Sequence, residues 1–268
     1  MTGRRTSRDG WFATRQIAPA TYCFTEALGD SHARFGPITT HSYLVLGSRR
    51  AALIDTGFGI GDLRAAVHEV TDLPIDLCIS HGHWDHYGSA AQFESIMISA
   101  TDRSAVSAPQ SAQMQAVIDA VPGRCARTTP DGFSFAHWSP PIISPTRLLG
   151  DGDFIDLGGR SLTVVASPGH TAGSVCYLDS SGAILFTGDT VFRGAIHLDL
   201  EGGDEVAYAS TVEKLRRLDG YQTICPAHFA APLPAILVRE VAEHVRSWTD
   251  GGVQDNPDSF QIVRAASP

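Results

Sequence analysis

The sequence predicts a mixed α/β (α+β) fold in which two β-sheets pack face to face and helices cover their outer sides. Two observations predict it. Each half of the chain runs through short, apolar, strand-like segments and then a segment with helical spacing, and four polar elements, "HGHWDH", "SPGHT", "TGDT" and "CPAHF", directly follow strand-like segments. Two such halves bury their apolar faces against each other and leave the helices outside. At 268 residues, 43% of them hydrophobic, the chain is long and apolar enough for a sizeable core.

Taken in order, "TYCFTEA", "HSYLVLG" and "AALIDTG" read as strands separated by tight turns. Leu63, Ala66, Val67 and Val70 then recur at helical spacing, and "LPIDLCIS" returns as a buried strand that delivers the chain into His81. "GSAAQF" reads as a helix start and "SIMISA" as another buried strand. From 101 to about 149 the pattern changes to a helix around Gln110 to Val121 and then a stretch rich in proline and aromatics, which reads as an inserted cap. Strands resume at "DFIDLGGRSLTVVASPGH" and "SVCYLDSSGAILFTGDT", followed by a helix near Glu205 to Leu218, the strand "QTICPAH" and a helix from Pro234 to Trp248. The expected organisation is an N-terminal tail at 1–20, one domain at 21–250 with its cap at about 101–149, and a C-terminal tail at 251–268.

Composition narrows the function classes. No apolar run approaches the roughly 18 residues of a membrane span. The two arginines near the N-terminus precede no apolar run, so no export signal is read there and a cytoplasmic location is expected. Five cysteines, odd in number, widely spaced and without a CxxC pair, suit a reducing compartment and neither a disulfide framework nor a thiolate zinc site. A formal net charge of −9 argues against a polyanionic partner. The expected partner is a small-molecule substrate, with no nucleic acid and no membrane, for a monomer or homodimer.

The four polar elements carry the chemistry. His81 and His83, two residues apart, can aim both rings at one ion in an extended or turn conformation, while Asp85 and His86 are offset to serve a second ion nearby. His170, Asp189 and His228 complete two three-residue sets, with one carboxylate able to bridge both ions through its two oxygens. Imidazole and carboxylate without thiolate suit zinc first, and iron or manganese can occupy similar shells. Three protein ligands per ion leave open positions, the mark of a catalytic site. Any one of these histidines alone would read as a surface or satisfied core residue; five of them in this order with two aspartates do not. His32, His41, His68 and His244 lack such support.

HxHxDH followed by separate His, Asp and His elements resembles the metallo-β-lactamase superfamily in its binuclear hydrolase branch, over roughly 21–248. The resemblance implies a four-layer αββα sandwich of two mixed sheets with the metals at one edge. It implies His81, His83 and His170 as ligands of one ion, Asp85, His86 and His228 as ligands of the other, Asp189 as the bridge, and Asp55 in "LIDTG" as a supporting aspartate behind them. The expected activity is metal-dependent hydrolysis, with a hydroxide shared by two divalent ions attacking an ester-like carbonyl (thioester, lactone or ester) and Asp85 orienting it and moving its proton. "GDTVF" resembles glyoxalase II-like thioesterases, although the residues that grip glutathione there are not evident in "RGAIHLDLEGG". Phe192 stands where related lactonases carry a tyrosine. The alternatives are a mononuclear iron enzyme like the persulfide dioxygenases, a phosphodiesterase, and a metal-binding module without turnover.

Specificity is expected from the cap, because the metal ligands fix the reaction type and loops fix the substrate. Phe133, Phe135, His137 and Trp138, with Trp84, Tyr87, Phe192, Arg193 and His197 near the ligands, suggest an aromatic pocket with one cation. The cap aromatics could equally pack the cap onto the body.

Overall fold

The structure, a computed structural model, describes residues 5–32, 36–248 and 259–265. Its strands, in chain order, are β1 (Arg5–Thr6), β2 (Phe12–Ala18), β3 (Thr21–His32), β4 (Gly36–Leu46), β5 (Ala51–Ile54), β6 (Ile75–Cys78), β7 (Ser95–Ser99) and β8 (Arg147–Leu149), which form one sheet in sequence order. Pairing is antiparallel from β1 to β5 and parallel from β5 to β8. Then follow β9 (Phe154–Asp156), β10 (Ser161–Ala166), β11 (Val175–Asp179), β12 (Ile184–Gly188), β13 (Ala195–His197), β14 (Thr223–Pro226), β15 (Leu233–Pro234) and β16 (Gln261–Val263). The second sheet runs β15-β14-β12-β11-β10-β9, and β13 pairs with β16 in a separate parallel ribbon.

The helices are α1 (Leu63–His68), α2 (Trp84–Tyr87), α3 (Arg103–Val106), α4 (Ala112–Asp119), α5 (Glu205–Arg217) and α6 (Ile236–Ser247). One apolar cluster lies between the sheets, with Tyr43, Val45 and Ile54 from the first packed with Leu162, Val164 and Phe186 from the second. A second covers the outer face of the first sheet with Leu63, Ala66 and Val67 of α1. A third joins the second sheet to Val212 and Leu215 of α5 and Leu237, Val238 and Val241 of α6. This is the four-layer αββα sandwich of two mixed sheets. Local chemistry favours α5 at both ends: the Asp204 carboxylate accepts from the N–H groups of Val206 and Ala207 at 2.8 and 2.9 Å, and Lys214, Arg216 and Arg217 sit at the opposite end.

Three expectations change. Residues 5–20 are not a tail: β1 and β2 extend the first sheet, and Trp11 and Phe12 are buried in its outer core. The C-terminal segment is not a tail where it is described, because β16 pairs with β13 and buries Phe260 and Ile262; 251–258 and 266–268 lie outside the described residues. The 101–149 segment is not a cap set apart from the core: β8 is a strand of the first sheet, and Val106, Met114, Ile118, Val121 and Ile143 join its outer apolar layer. In the last two cases a short strand or a few apolar residues acquire their role from partners distant in sequence, whereas β2 pairs with its neighbours β1 and β3. "GSAAQF" contributes only a single 3₁₀ turn at Ala90–Gln92.

Candidate metal centre

The four polar elements follow the C-terminal ends of β6, β10, β12 and β14 and converge at one edge of the sandwich. Gly188 shows why the turn after β12 needs glycine: its φ is +49°, and a Cβ there would lie 2.7 Å from the Ser80 hydroxyl oxygen. The next residue, Asp189, is thereby brought beside the histidines.

All seven expected ligand residues come together. One ligand atom from each of His81, His83 and His170 falls within 4.8 Å of the others, and the same holds for Asp85, His86 and His228. A third group of His81, His86 and Asp189 lies between them. Asp189 reaches both sets: its Oδ1 is 3.4 Å from His86 Nε2, and its Oδ2 is 3.2 Å from His228 Nε2 and 3.6 Å from His170 Nε2. Asp85 Oδ2 is 3.5 Å from His228 Nε2.

The backs of the imidazoles are held by the protein. Nδ1 of His170 donates to the carbonyl of His197 at 2.7 Å, Nδ1 of His228 to the carbonyl of Thr39 at 2.7 Å, and Nδ1 of His86 to the Asp55 carboxylate at 2.9 Å. Asp55 also accepts the Ser80 hydroxyl at 2.7 Å, and that hydroxyl oxygen is 3.1 Å from His81 Nδ1. Each contact fixes a tautomer that turns Nε2 toward the centre. Asp55 itself has φ +57°, a left-handed conformation that aspartate tolerates better than most residues.

The donor set fits cations. Nε2 of His81 and His86 and Oδ1 of Asp189 are buried and make no hydrogen bond, a costly arrangement unless something positive and coordinating satisfies them. Burial and neighbouring imidazoles hold His81 and His83 well below the usual histidine range, which favours the neutral form that can coordinate a cation. Burial also opposes charge on His228, but the Asp189 and Asp85 carboxylates outweigh it and push it up to about 9. His86 likewise lies well above its ordinary value, burial being overcome by Asp189, Asp55 and Asp85. Burial works against charge on Asp189 too, yet His228 and His86 hold its carboxyl well below the usual range. At His86 and His228 the raised values favour a proton beside Asp189, and a cation binding there would displace it.

A cavity of about 420 Å³ opens over these residues. Of the expected pocket residues, Trp84, Phe192 and His197 line it. The others are corrections. Phe133, Phe135 and Trp138 pack on the outer core, with Trp138 edge-on to Trp84 at 5.4 Å, because large aromatics seek the apolar layer there. His137 is exposed on its single turn. Tyr87 is fully buried with its hydroxyl bonded by Gln110, and Arg193 donates to Ser259 at 2.6 Å. The cap lines the pocket through Met114, Val117 and Arg124 instead, joined by Ile38, Leu200 and Phe229.

Sequence reasoning also missed Asp102. Its Oδ2 accepts the Gly82 N–H at 2.8 Å and the Thr171 hydroxyl at 2.7 Å, tying the loop of His81 and His83 to that of His170. It precedes α3 like an N-cap but makes no cap hydrogen bond, and only the tertiary structure separates the two roles.

Comparison with known proteins agrees with this geometry. The sequence profile of the metallo-beta-lactamase superfamily matches residues 35–96 and 113–228. The acyl-coenzyme A thioesterase MBLAC2 of Homo sapiens is 28% identical over 234 residues, which cover 82% of this chain and 81% of that protein. The hydroxyacylglutathione hydrolase of Yersinia pestis is 40% identical over 83 residues, 31% of this chain and 32% of the relative. A metallo-beta-lactamase from Pontibacter korlensis superposes with a TM-score of 0.60 at 17% identity, covering 88% of this chain and 99% of that one, a likeness of fold.

Proposed function

The chain belongs to the metallo-beta-lactamase superfamily and is a hydrolase, and from that premise we propose that it cleaves thioesters of small acyl groups at a two-cation centre. His81, His83 and His170 would hold one cation, Asp85, His86 and His228 the other, with Asp189 between them. Zinc suits this imidazole and carboxylate set, and iron or manganese are its competitors. The cations would acidify a shared water and polarise the scissile carbonyl.

The observation that carries the thioester reading is the pocket wall beside the ligands. Phe192 is buried, 5.9 Å from the His228 ring and stacked on Phe229 at 6.0 Å, so no hydroxyl from this position can protonate a leaving group. A thiol has a pKa of about 8.5, so its anion departs without help near neutrality, while an alkoxide needs a proton. The names of the MBLAC2 and hydroxyacylglutathione hydrolase relatives, both thioester enzymes, support the same choice.

The remaining work falls to the chain. Asp85 lines the pocket and is the more exposed of the two central carboxylates, at 19% against 10% for Asp189. It orients the attacking water and takes its proton. Asp85→Asn at saturating zinc is expected to lower kcat by about 10²–10⁴-fold; unchanged turnover at full metal content would remove this role. Apolar walls at Ile38, Val117 and Leu200 receive the acyl group. Five unpaired cysteines support a reducing cytoplasm as the setting.

The test is hydrolysis of matched acyl thioesters, lactones and oxygen esters by zinc-loaded protein. The expected result is the highest kcat/KM on thioesters, lost in His83→Ala. A preference for lactones or oxygen esters would sink the reading.

A further inference from the structure

A thioester places two chemically different groups on either side of its carbonyl, and the pocket treats them differently. Phe192, Leu200, Met114 and Phe229 offer apolar surface close to the metal ligands. Arg124, on the single turn Pro122–Arg124 that follows α4, is the one arginine or lysine among the described residues that line the cavity. It is exposed, and its guanidinium has no hydrogen-bond or ion-pair partner among the described residues. Neighbouring arginines are engaged: Arg127 donates to the carbonyls of Gly10, Trp11 and Ala27, and Arg193 to Ser259. The whole chain carries a formal charge of −9, so an anion approaching it is repelled unless a local cation receives it. A free guanidinium at the pocket presents the planar fork that binds phosphate or carboxylate bidentately.

We infer that Arg124 is a specificity-determining residue that grips an anion, phosphate or carboxylate, on the thiol half of the substrate, while the acyl half lies on the apolar wall. This rests on the thioesterase reading above. Both thiols in the names of the relatives are anionic outside the sulfur, coenzyme A through phosphates and glutathione through carboxylates, whereas a simple acyl chain carries no charge for Arg124 to meet.

The experiment titrates zinc-loaded wild type, Arg124→Gln and Arg124→Lys with coenzyme A, with glutathione, and with pantetheine, the thiol arm of coenzyme A without its phosphates. Hydrolysis of the butyryl thioester of each thiol is measured alongside. The wild type is expected to prefer an anionic thiol over pantetheine, and Arg124→Gln to reduce that preference about tenfold, the scale of one hydrogen bond to a charged group. Arg124→Lys recovers part of it, and added salt narrows the gap. Loss on coenzyme A identifies phosphate as the anion, and loss on glutathione identifies carboxylate. Equal preferences in wild type and Arg124→Gln would overturn the inference. Because Arg124 is exposed and unbonded, its replacement leaves the fold in place, with the circular dichroism melt as the check. Absence of thioester turnover in the wild type would fell the thioesterase reading, while the binding titrations judge Arg124 separately.

Discussion

Asp55 and Glu26 show how single residues behind the centre control it. Asp55 holds Nδ1 of His86 and, through Ser80, the back of His81, so one carboxylate steadies a ligand in each set. Asparagine keeps the left-handed backbone accessible but removes the charge. Asp55→Asn is therefore expected to weaken zinc affinity about 10–100-fold, measured by competition with a chromophoric chelator, with the fold retained. Unchanged affinity would contradict the role.

Glu26 fixes the loop that follows Asp55. Its carboxylate accepts the N–H groups of Phe58 at 2.6 Å and Ile60 at 3.4 Å and the indole N–H of Trp11. Burial outweighs these donors and raises the carboxyl from 4.5 to about 7. Folding therefore favours the protonated acid; that stabilisation is complete below the unfolded value and is lost as pH rises through about 7. Across this window the wild type should lose up to ~3 kcal/mol relative to Glu26→Gln, measured by urea denaturation at about pH 5 and about pH 8. A pH-independent difference would contradict it. The seven residues that converge at the centre were legible in the sequence because the chemistry expected of them demands particular residue types at particular spacings. Glu26 and Asp102 were not, since their partners are backbone N–H groups and side chains from segments distant in sequence.

At the scale of elements, the ribbon of β13 and β16 links the chain's end to the site. His197, in β13, supplies the carbonyl that holds His170, and β16 pairs with β13 along Ala195–His197. Truncation before Ser259 removes Phe260 and Ile262 from the core, each worth about 1.5–3 kcal/mol of burial. It is expected to lower both the melting temperature and zinc affinity; retention of full zinc affinity would show that β13 keeps its place without β16. The sequence revealed α5 and α6 through helical apolar spacing, but β16 is three residues long and has no local signal. Of the two readings the sequence left open for the cap aromatics, Phe133, Phe135 and Trp138 take the packing one, while the pocket is lined from α4 by Met114 and Val117.

At the scale of the molecule, two β/α halves each deliver part of a ligand set to a shared edge, so neither set is complete without both halves. His81 and His83 leave β6 of the first sheet, and the third member of their set, His170, follows β10 of the second. Asp85 and His86 likewise wait for His228 after β14. The alternation of strands and helices made this architecture readable, and its convergence explained why histidines crowd between 81 and 86. What pattern alone left open was the pocket, because its lining comes from the first sheet, the cap and the loops after β12 and β14 together.

Whether two cations act together is decided by a zinc titration of metal-free protein, following hydrolysis of a butyryl thioester and bound metal together. Turnover is expected to rise to a plateau at two equivalents, and His83→Ala never to reach it. A plateau at one equivalent, or no turnover with both sets filled, would contradict it.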